Sequence, residues 1–233
     1  MKKALVTGGT RGIGAAIARE LRKAGCQVTV TGTRLQGKGP AGCGYRPCDF
    51  SDETALKGFS RWVEKEGFSI LVNNAGINKV GELASYNLAD FEKIQQVNVT
   101  AAYLLCQAVV PGMRRRRFGR IVNITSIFSV VSRAGRSAYS ASKGAMVGFT
   151  RALALEVARE NVLVNCLAPG FVDTDLTRRI LGEKGLAQMA KQIPMGRLAS
   201  PDEIAGVVRF LASEENSYMA GQNVIVDGGF TCG

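Results

Sequence analysis

Six short runs rich in Val, Ile and Leu, and a weak seventh at 45–48, recur along the chain, with helical patterns in the gaps between them. Runs that are apolar throughout, rather than alternating, suit strands buried on both faces. The pattern predicts a parallel sheet of seven strands wrapped by helices on both faces, a doubly wound α/β fold in a single domain over 1–233. The expected strands cover 4–7, 27–31, 45–48, 69–73, 120–125, 162–168 and 223–226. Pro47 lacks an amide proton, which assigns the third strand to a sheet edge. Helices are expected over 12–24, 52–65 with Ser51 as N-cap, 88–113, 137–160, and 201–212 with Ser200 as N-cap and Pro201 at the first helical position. Residues 173–197 carry helical character late in the chain, where such insertions form lids. The basic start, Met1-Lys2-Lys3, is followed by an apolar stretch too short for a signal peptide and reads as the first strand.

The first strand runs into Thr7-Gly8-Gly9-Thr10-Arg11-Gly12-Ile13-Gly14. Glycines let the backbone turn sharply and let a phosphate approach the amides at a helix N-terminus. The spacing G-x-x-x-G-x-G differs from the general dinucleotide fingerprint. Between a first strand and a first helix it nonetheless predicts a dinucleotide site of the Rossmann type, the alternative being a tight turn without a ligand. An NAD-preferring site places Asp or Glu at the end of the second strand to hold the ribose hydroxyls. Here Thr31-Gly32-Thr33-Arg34 offers no acid, and Arg11 and Arg34 are in position to meet an adenosine 2′-phosphate. As solvated surface arginines they would do nothing of the kind.

Lys and Arg total 30 against 19 Asp and Glu, a formal charge of +11, which favours anionic partners without choosing among nucleic acid, phosphorylated cofactors and acidic proteins. No nucleic-acid recognition motif accompanies it, so no nucleic-acid partner is expected. No apolar run is long enough to span a bilayer, so no membrane partner is expected, and nothing points away from the cytoplasm. Six cysteines without a C-x-x-C pair read as free, mostly buried thiols. There is no histidine, which removes the commonest metal ligand and the usual acid/base group near neutral pH. No metal is expected, and proton transfer falls to Tyr, Lys, Cys or a carboxylate.

Tyr139 and Lys143 stand one helical turn apart on one face. An ammonium there is expected to lower the tyrosine pKa toward the working range. Ser126 ends the fifth strand and Asn73-Asn74-Ala75-Gly76 ends the fourth, both at the carboxyl edge where ligands bind in such sheets. Asn98 is polar among Val97, Val99 and Ala101, either a surface residue or part of a site.

Together these residues resemble the short-chain dehydrogenase/reductase family over the whole length: Thr7-Gly8-x-x-x-Gly12-Ile13-Gly14, Asn73-Asn74-Ala75-Gly76, Asn98, Ser126, Tyr139-x-x-x-Lys143 and Pro169-Gly170 occur in the family's order. The resemblance implies a catalytic tetrad. Tyr139 exchanges the proton, Ser126 hydrogen-bonds the substrate oxygen, Lys143 holds the nicotinamide ribose and tunes Tyr139, and Asn98 positions a water. It implies NADP(H) contacts at Gly8, Thr10, Arg11, Gly12, Ile13, Gly14, Arg34, Asp49, Phe50, Asn74, Ala75, Gly76, Tyr139 and Lys143. Pro169, Gly170, Phe171, Val172 and Thr174 would meet the nicotinamide end.

Within the family, the stretches at 120–126, 168–175 and 226–229 most resemble 3-oxoacyl-acyl carrier protein reductases. That implies NADPH-dependent reduction of a small or carrier-bound 3-oxoacyl thioester in fatty acid biosynthesis, an acidic acyl carrier protein as partner, docking at Arg120 and Arg178, and a homotetramer. The run Arg114–Arg117 either adds to the docking charge or is a solvated helix end favoured by the macrodipole. Small residues at Ala141, Gly144, Ala145, Gly148 and Ala152 permit close approach of a partner subunit or of the parent sheet. Two departures stand out. Residues 35–45 leave no room for a proper helix after the second strand. The loop Ile77–Leu83 also suits relatives acting on sugars, sugar acids or polyols. A non-catalytic NADP-binding regulator is the alternative of another class, and the intact Ser126, Tyr139 and Lys143 argue against it.

Overall fold

The computed structural model describes residues 1–232, apart from the side chains of Leu176 and Ile180. Strands β1 (Lys3–Val6), β2 (Gln27–Gly32), β3 (Gly44–Pro47), β4 (Ile70–Asn73), β5 (Gly119–Ile124), β6 (Val162–Pro169) and β7 (Asn223–Val226) form one sheet in the order β3-β2-β1-β4-β5-β6-β7. Every neighbouring pair is parallel. The order reverses between β1 and β4, which creates a crevice at their carboxyl ends. β3 is an edge strand and ends on Pro47, as the missing amide requires.

The two-residue period of a strand sends neighbours to opposite faces. Ala4, Val6, Ile70 and Val72 join a core beneath α1 (Gly12–Lys23) and α7 (Pro201–Leu211), built with Ile17, Leu21, Ile204 and Val208. Leu5, Leu71, Ile121 and Val164 face the other core with Phe59 and Val63 of α2 (Glu53–Glu66) and Leu105 and Val109 of α4 (Ala101–Arg116). α5 (Ser137–Val157) lies beside α4 and packs on β6. Four of the six thiols are buried, and all six are free.

Two local expectations change, and a third holds. The N-cap of α2 is Asp52, not Ser51: its carboxylate accepts from the amides of Thr54 at 2.8 Å and Ala55 at 3.0 Å. A carboxylate also suits the positive end of the helix dipole. The single helix expected over 88–113 is α3 (Leu88–Gln95), a π-helical turn over Gln96–Thr100, and α4. β2 and β3 are joined without a helix, by a glycine-rich strap that passes close to Val30 of β2 and Tyr45 of β3. A Cβ on Gly39 would stand 2.6 Å from Val30 Cγ2, and one on Gly37 would strike the Tyr45 ring. Only glycine lets a bare backbone take the place of a helix here. The Tyr45 hydroxyl donates to the Arg34 carbonyl and pins the strap's start. The lid segment forms α6 (Asp175–Ala190), two helical stretches that meet at Gly182 with φ +61°.

Candidate active site

The glycine turn is held from behind by two buried threonines. The Thr7 hydroxyl accepts from the amides of Asn74 and Ala75, both at 2.9 Å, tying the ends of β1 and β4 together. The Thr31 hydroxyl accepts from Gly8 at 3.0 Å, tying β2 to the turn. Asn74 closes the circuit by donating to the carbonyls of Thr7 and Gly8 at 2.9 and 3.2 Å. Gly8 and Gly12 have φ of +62° and +54°. A Cβ on Gly14 would strike the Gly8 carbonyl and the Asn74 amide, so α1 sits as close to the turn as backbone allows. Arg11 caps α1 without a side-chain acceptor, and the first turn holds no acid. The leading amides of α1 therefore present a positive end to whatever enters the crevice.

Tyr139, Lys143, Ser126 and Asn98 converge at the carboxyl ends of β4 and β5. Ser126 follows β5, and Tyr139 and Lys143 lie on the first two turns of α5. Lys143 Nζ is buried and donates to the Ile124 carbonyl at 2.9 Å, which aims the side chain across the end of β5. Burial pushes its pKa down to about 8. Lys143 Nζ lies 5.5 Å from the Tyr139 ring centre. Burial also raises the Tyr139 pKa, against the opposing effects of the Ser126 hydroxyl and the Arg136 charge. The expectation that Lys143 lowers the Tyr139 pKa is thus corrected: removal from water dominates, and the opposing pull comes from Ser126 and Arg136 instead. A tyrosine held protonated suits a proton donor.

Asn98 sits in the π-helical turn, not on the surface. Its Oδ1 accepts from the Ile77 amide at 2.8 Å, and its Nδ2 donates to the Ile77 carbonyl and the Ser142 hydroxyl, both at 3.0 Å. Ser142 in turn donates to the Tyr139 carbonyl at 2.7 Å. One amide thus braces the loop after β4 against the opening turn of α5. π-turns within helices commonly mark functional sites. A Cβ on Gly76 would lie 3.4 Å from Asn98 Oδ1 and 3.5 Å from Lys143 Nζ, so that glycine keeps the space above Lys143 open.

Beyond Tyr139 stands a wall of half-buried aromatic rings. Phe128 packs edge-on to Tyr139 at 6.3 Å and to Phe171 at 6.5 Å, and Phe171 meets Phe230 at 5.2 Å. Asp227 fastens the chain end that carries Phe230, accepting from the amides of Gly229 and Thr231 and from the Thr231 hydroxyl. A Cβ on Gly170 would stand 2.7 Å from Asp227 Cα, so Pro169-Gly170 must pass close under that turn. Thr174 caps α6 through the Thr177 amide, and its methyl group would lie 3.5 Å from a Cβ on Gly12. α6 thus begins directly beside the glycine turn.

Of the remaining expected residues, Phe50, Val172 and Arg120 depart from expectation, while Asp49 and Arg178 stay accessible. Phe50 is buried and packs on Phe59 at 5.9 Å, so its ring serves the core and not a ligand. Val172 is likewise a core side chain, leaving only its backbone to the cleft. Asp49 is exposed beyond β3, where hydrogen bonds from the Ser51 amide and hydroxyl hold its carboxyl below the usual range. Arg120 cannot dock a carrier. It is 2% exposed and donates to the carbonyls of Gly119, Asn161, Ser213 and Asn216. It sits at the start of β5, at the opposite end of the strand from Ser126. The Arg114–Arg117 run lies at that same edge, where Arg114 pairs with Glu160 at 2.9 Å. Arg178 is exposed on α6 and forms a two-point pair with Asp173. Sequence reasoning passed over Ser142, the aromatic wall, and Arg133 and Arg136. The wall draws on three distant segments and leaves no local signal, whereas Ser142 stands inside the Tyr139-x-x-x-Lys143 motif and was findable there.

A family model described as Enoyl-(Acyl carrier protein) reductase matches residues 8–231. The 3-oxoacyl-(acyl-carrier-protein) reductase FabG of Aquifex aeolicus is 41% identical over 240 residues, covering 98% of this chain and 96% of its own. Among solved structures, a gluconate 5-dehydrogenase of Burkholderia cenocepacia in complex with NADP and tartrate aligns with a TM-score of 0.91 at 30% identity, covering 100% of this chain and 96% of its own. A 3-oxoacyl (acyl-carrier-protein) reductase of Agrobacterium tumefaciens with NADP bound aligns at 0.89 and 32%, covering 97% and 93%. The chain belongs to the short-chain dehydrogenase/reductase family and is an oxidoreductase of that fold.

Proposed function

We infer that the chain reduces a 3-oxoacyl thioester to the 3-hydroxyacyl thioester with NADPH, with Tyr139 as the proton donor. The observation that carries this is the meeting of Ser126, Tyr139 and a buried Lys143 beside an aromatic wall. An apolar wall suits an acyl chain better than a ring of hydroxyls.

The crevice fits NADP(H). The free amides of α1 suit a diphosphate. The end of β2 carries no acid, and among the described residues neither Arg11 nor Arg34 pairs with a carboxylate, so both are available to a 2′-phosphate. Lys143 would hold the nicotinamide ribose, and Gly170, Val172 and Thr174 line the far end. When bound, NADPH supplies the hydride for the carbonyl carbon. The hydroxyls of Ser126 and Tyr139 donate to the carbonyl oxygen and stabilise the charge that develops there. Tyr139 then releases its proton to that oxygen, and the Lys143 ammonium offsets the phenolate left behind.

Asn98 is a positioning residue that keeps Ile77 and the first turn of α5 in register. Arg178 remains the candidate for carrier docking. Homotetramer formation is supported by Gly144 and Gly148, whose Cβ positions meet nothing within 4 Å in the chain itself. Their smallness thus serves something other than packing on the parent sheet.

A second reading, oxidation of a sugar acid, rests on the solved gluconate 5-dehydrogenase relative. An assay matrix separates them. We expect oxidation of NADPH in preference to NADH with acetoacetyl-CoA, and little turnover of gluconate with NADP+. Gluconate turnover without thioester reduction would reverse the order of the two readings.

A further inference from the structure

The wall beside Tyr139 carries two cations that a thioester leaves unused. Arg136 precedes α5 by one residue, half-buried, with its guanidinium 5.7 Å from the centre of the Phe128 ring. Arg133 lies over Phe171 at 6.0 Å and donates to Gln192 at 3.3 Å. Neither pairs with a carboxylate among the described residues. The rings they lie on are the ones that meet Tyr139 and one another. Two arginines thus lie against the aromatic wall beside Tyr139, Arg136 half-buried and Arg133 exposed, each with its guanidinium free to meet an anion.

We propose that Arg136 and Arg133 bind a carboxylate, and that the same site reduces short 3-oxo carboxylates as free acids. The inference rests on the reading of this site as a carbonyl reductase and adds a substrate class to it. The placement of these arginines beside the rings next to Tyr139 favours a carboxylate over the phosphate of a carrier arm. Arg136 is three residues before Tyr139, and it lies over the Phe128 ring that packs edge-on to that phenol. A carboxylate two bonds from a carbonyl held by Tyr139 stays beside the Phe128 ring on which Arg136 lies. A phosphate at the far end of a pantetheine arm is many bonds further away. The step balances simply: C3 gains a hydride from NADPH, its oxygen gains the Tyr139 proton, NADPH becomes NADP+, and the carboxylate is unchanged.

The test compares acetoacetate, its neutral methyl ester and acetoacetyl-CoA, each with NADPH. We expect kcat/KM for acetoacetate to exceed that for the ester about tenfold, the worth of one charge-assisted hydrogen bond. Arg136→Gln and Arg133→Gln should bring that ratio toward one, chiefly through KM, while Arg136→Lys retains most of it. Calorimetric titration of the same proteins with 3-hydroxybutyrate and its methyl ester should show the same preference without turnover. Reduction of acetoacetyl-CoA but not acetoacetate, or an acid-to-ester ratio unmoved by Arg136→Gln, overturns this inference alone. No turnover of any of the three overturns the reductase reading and this inference with it.

Discussion

Burial does opposite things to the two ionisable groups of the site, and both serve the same reaction. It raises the proton affinity of Tyr139, so the phenol remains a donor. It lowers that of Lys143 to about 8, so the ammonium is complete at lower pH and is lost as pH rises through that value. The kcat/KM for NADPH reports groups of the free enzyme. We expect it to fall as pH climbs past about 8. A profile flat to pH 9.5 would mean that the charge on Lys143 is not needed. Arg120 shows the other use of a buried cation. Its donors satisfy four carbonyls from β5, the turn before β6 and the segment after α7. Arg120→Ala strands those acceptors, and we expect a loss of about 3 kcal/mol, read as a lowered thermal midpoint. A docking role would instead leave stability intact and weaken carrier binding.

The strands, the glycine turn and the Tyr139, Lys143 and Ser126 set were legible because each is a local pattern: an apolar run, a φ-permissive turn, a one-turn spacing. The missing helix after β2 was legible too, since Gly37, Gly39 and Pro40 exclude one. What the strap does instead was not, because it depends on Val30 and Tyr45 lying beneath it. We expect Gly39→Ala to lift the strap from Val30, costing about 1–2 kcal/mol and weakening NADPH binding through the displaced Arg34. Unchanged stability would place Gly39 off the sheet. The π-helical turn at Gln96–Thr100 was hidden for a similar reason. Val97, Val99 and Ala101 continue a helical pattern, and only the tertiary bonds of Asn98 to Ile77 and Ser142 distinguish that turn. The cap at Asp52 was missed by one residue because Ser51 and Asp52 are both capable acceptors.

On the scale of the molecule, the sheet order brings the ends of β1, β4, β5 and β6 to one edge, and the site is assembled there from residues more than a hundred positions apart. The opposite edge holds Arg114–Arg117 and Arg120, so part of the chain's positive charge lies away from the reaction centre. The outer faces of α4 and α5 leave Leu155 86% exposed and Tyr103 half exposed beside the open positions of Gly144 and Gly148. Apolar side chains around small residues suit a helix-to-helix contact with another copy. We expect light scattering to show a tetramer and Leu155→Asp to yield smaller species. A wild-type monomer at micromolar concentration would refute that contact.

The role of Tyr139 is tested most directly by Tyr139→Phe, which keeps the ring against Phe128 and removes only the hydroxyl. The measurement is NADPH oxidation with acetoacetyl-CoA, alongside NADPH binding to the same protein. We expect turnover to fall by about a thousandfold while NADPH affinity stays close to that of the unaltered protein. Turnover within a few-fold of the unaltered protein would show that the proton comes from elsewhere.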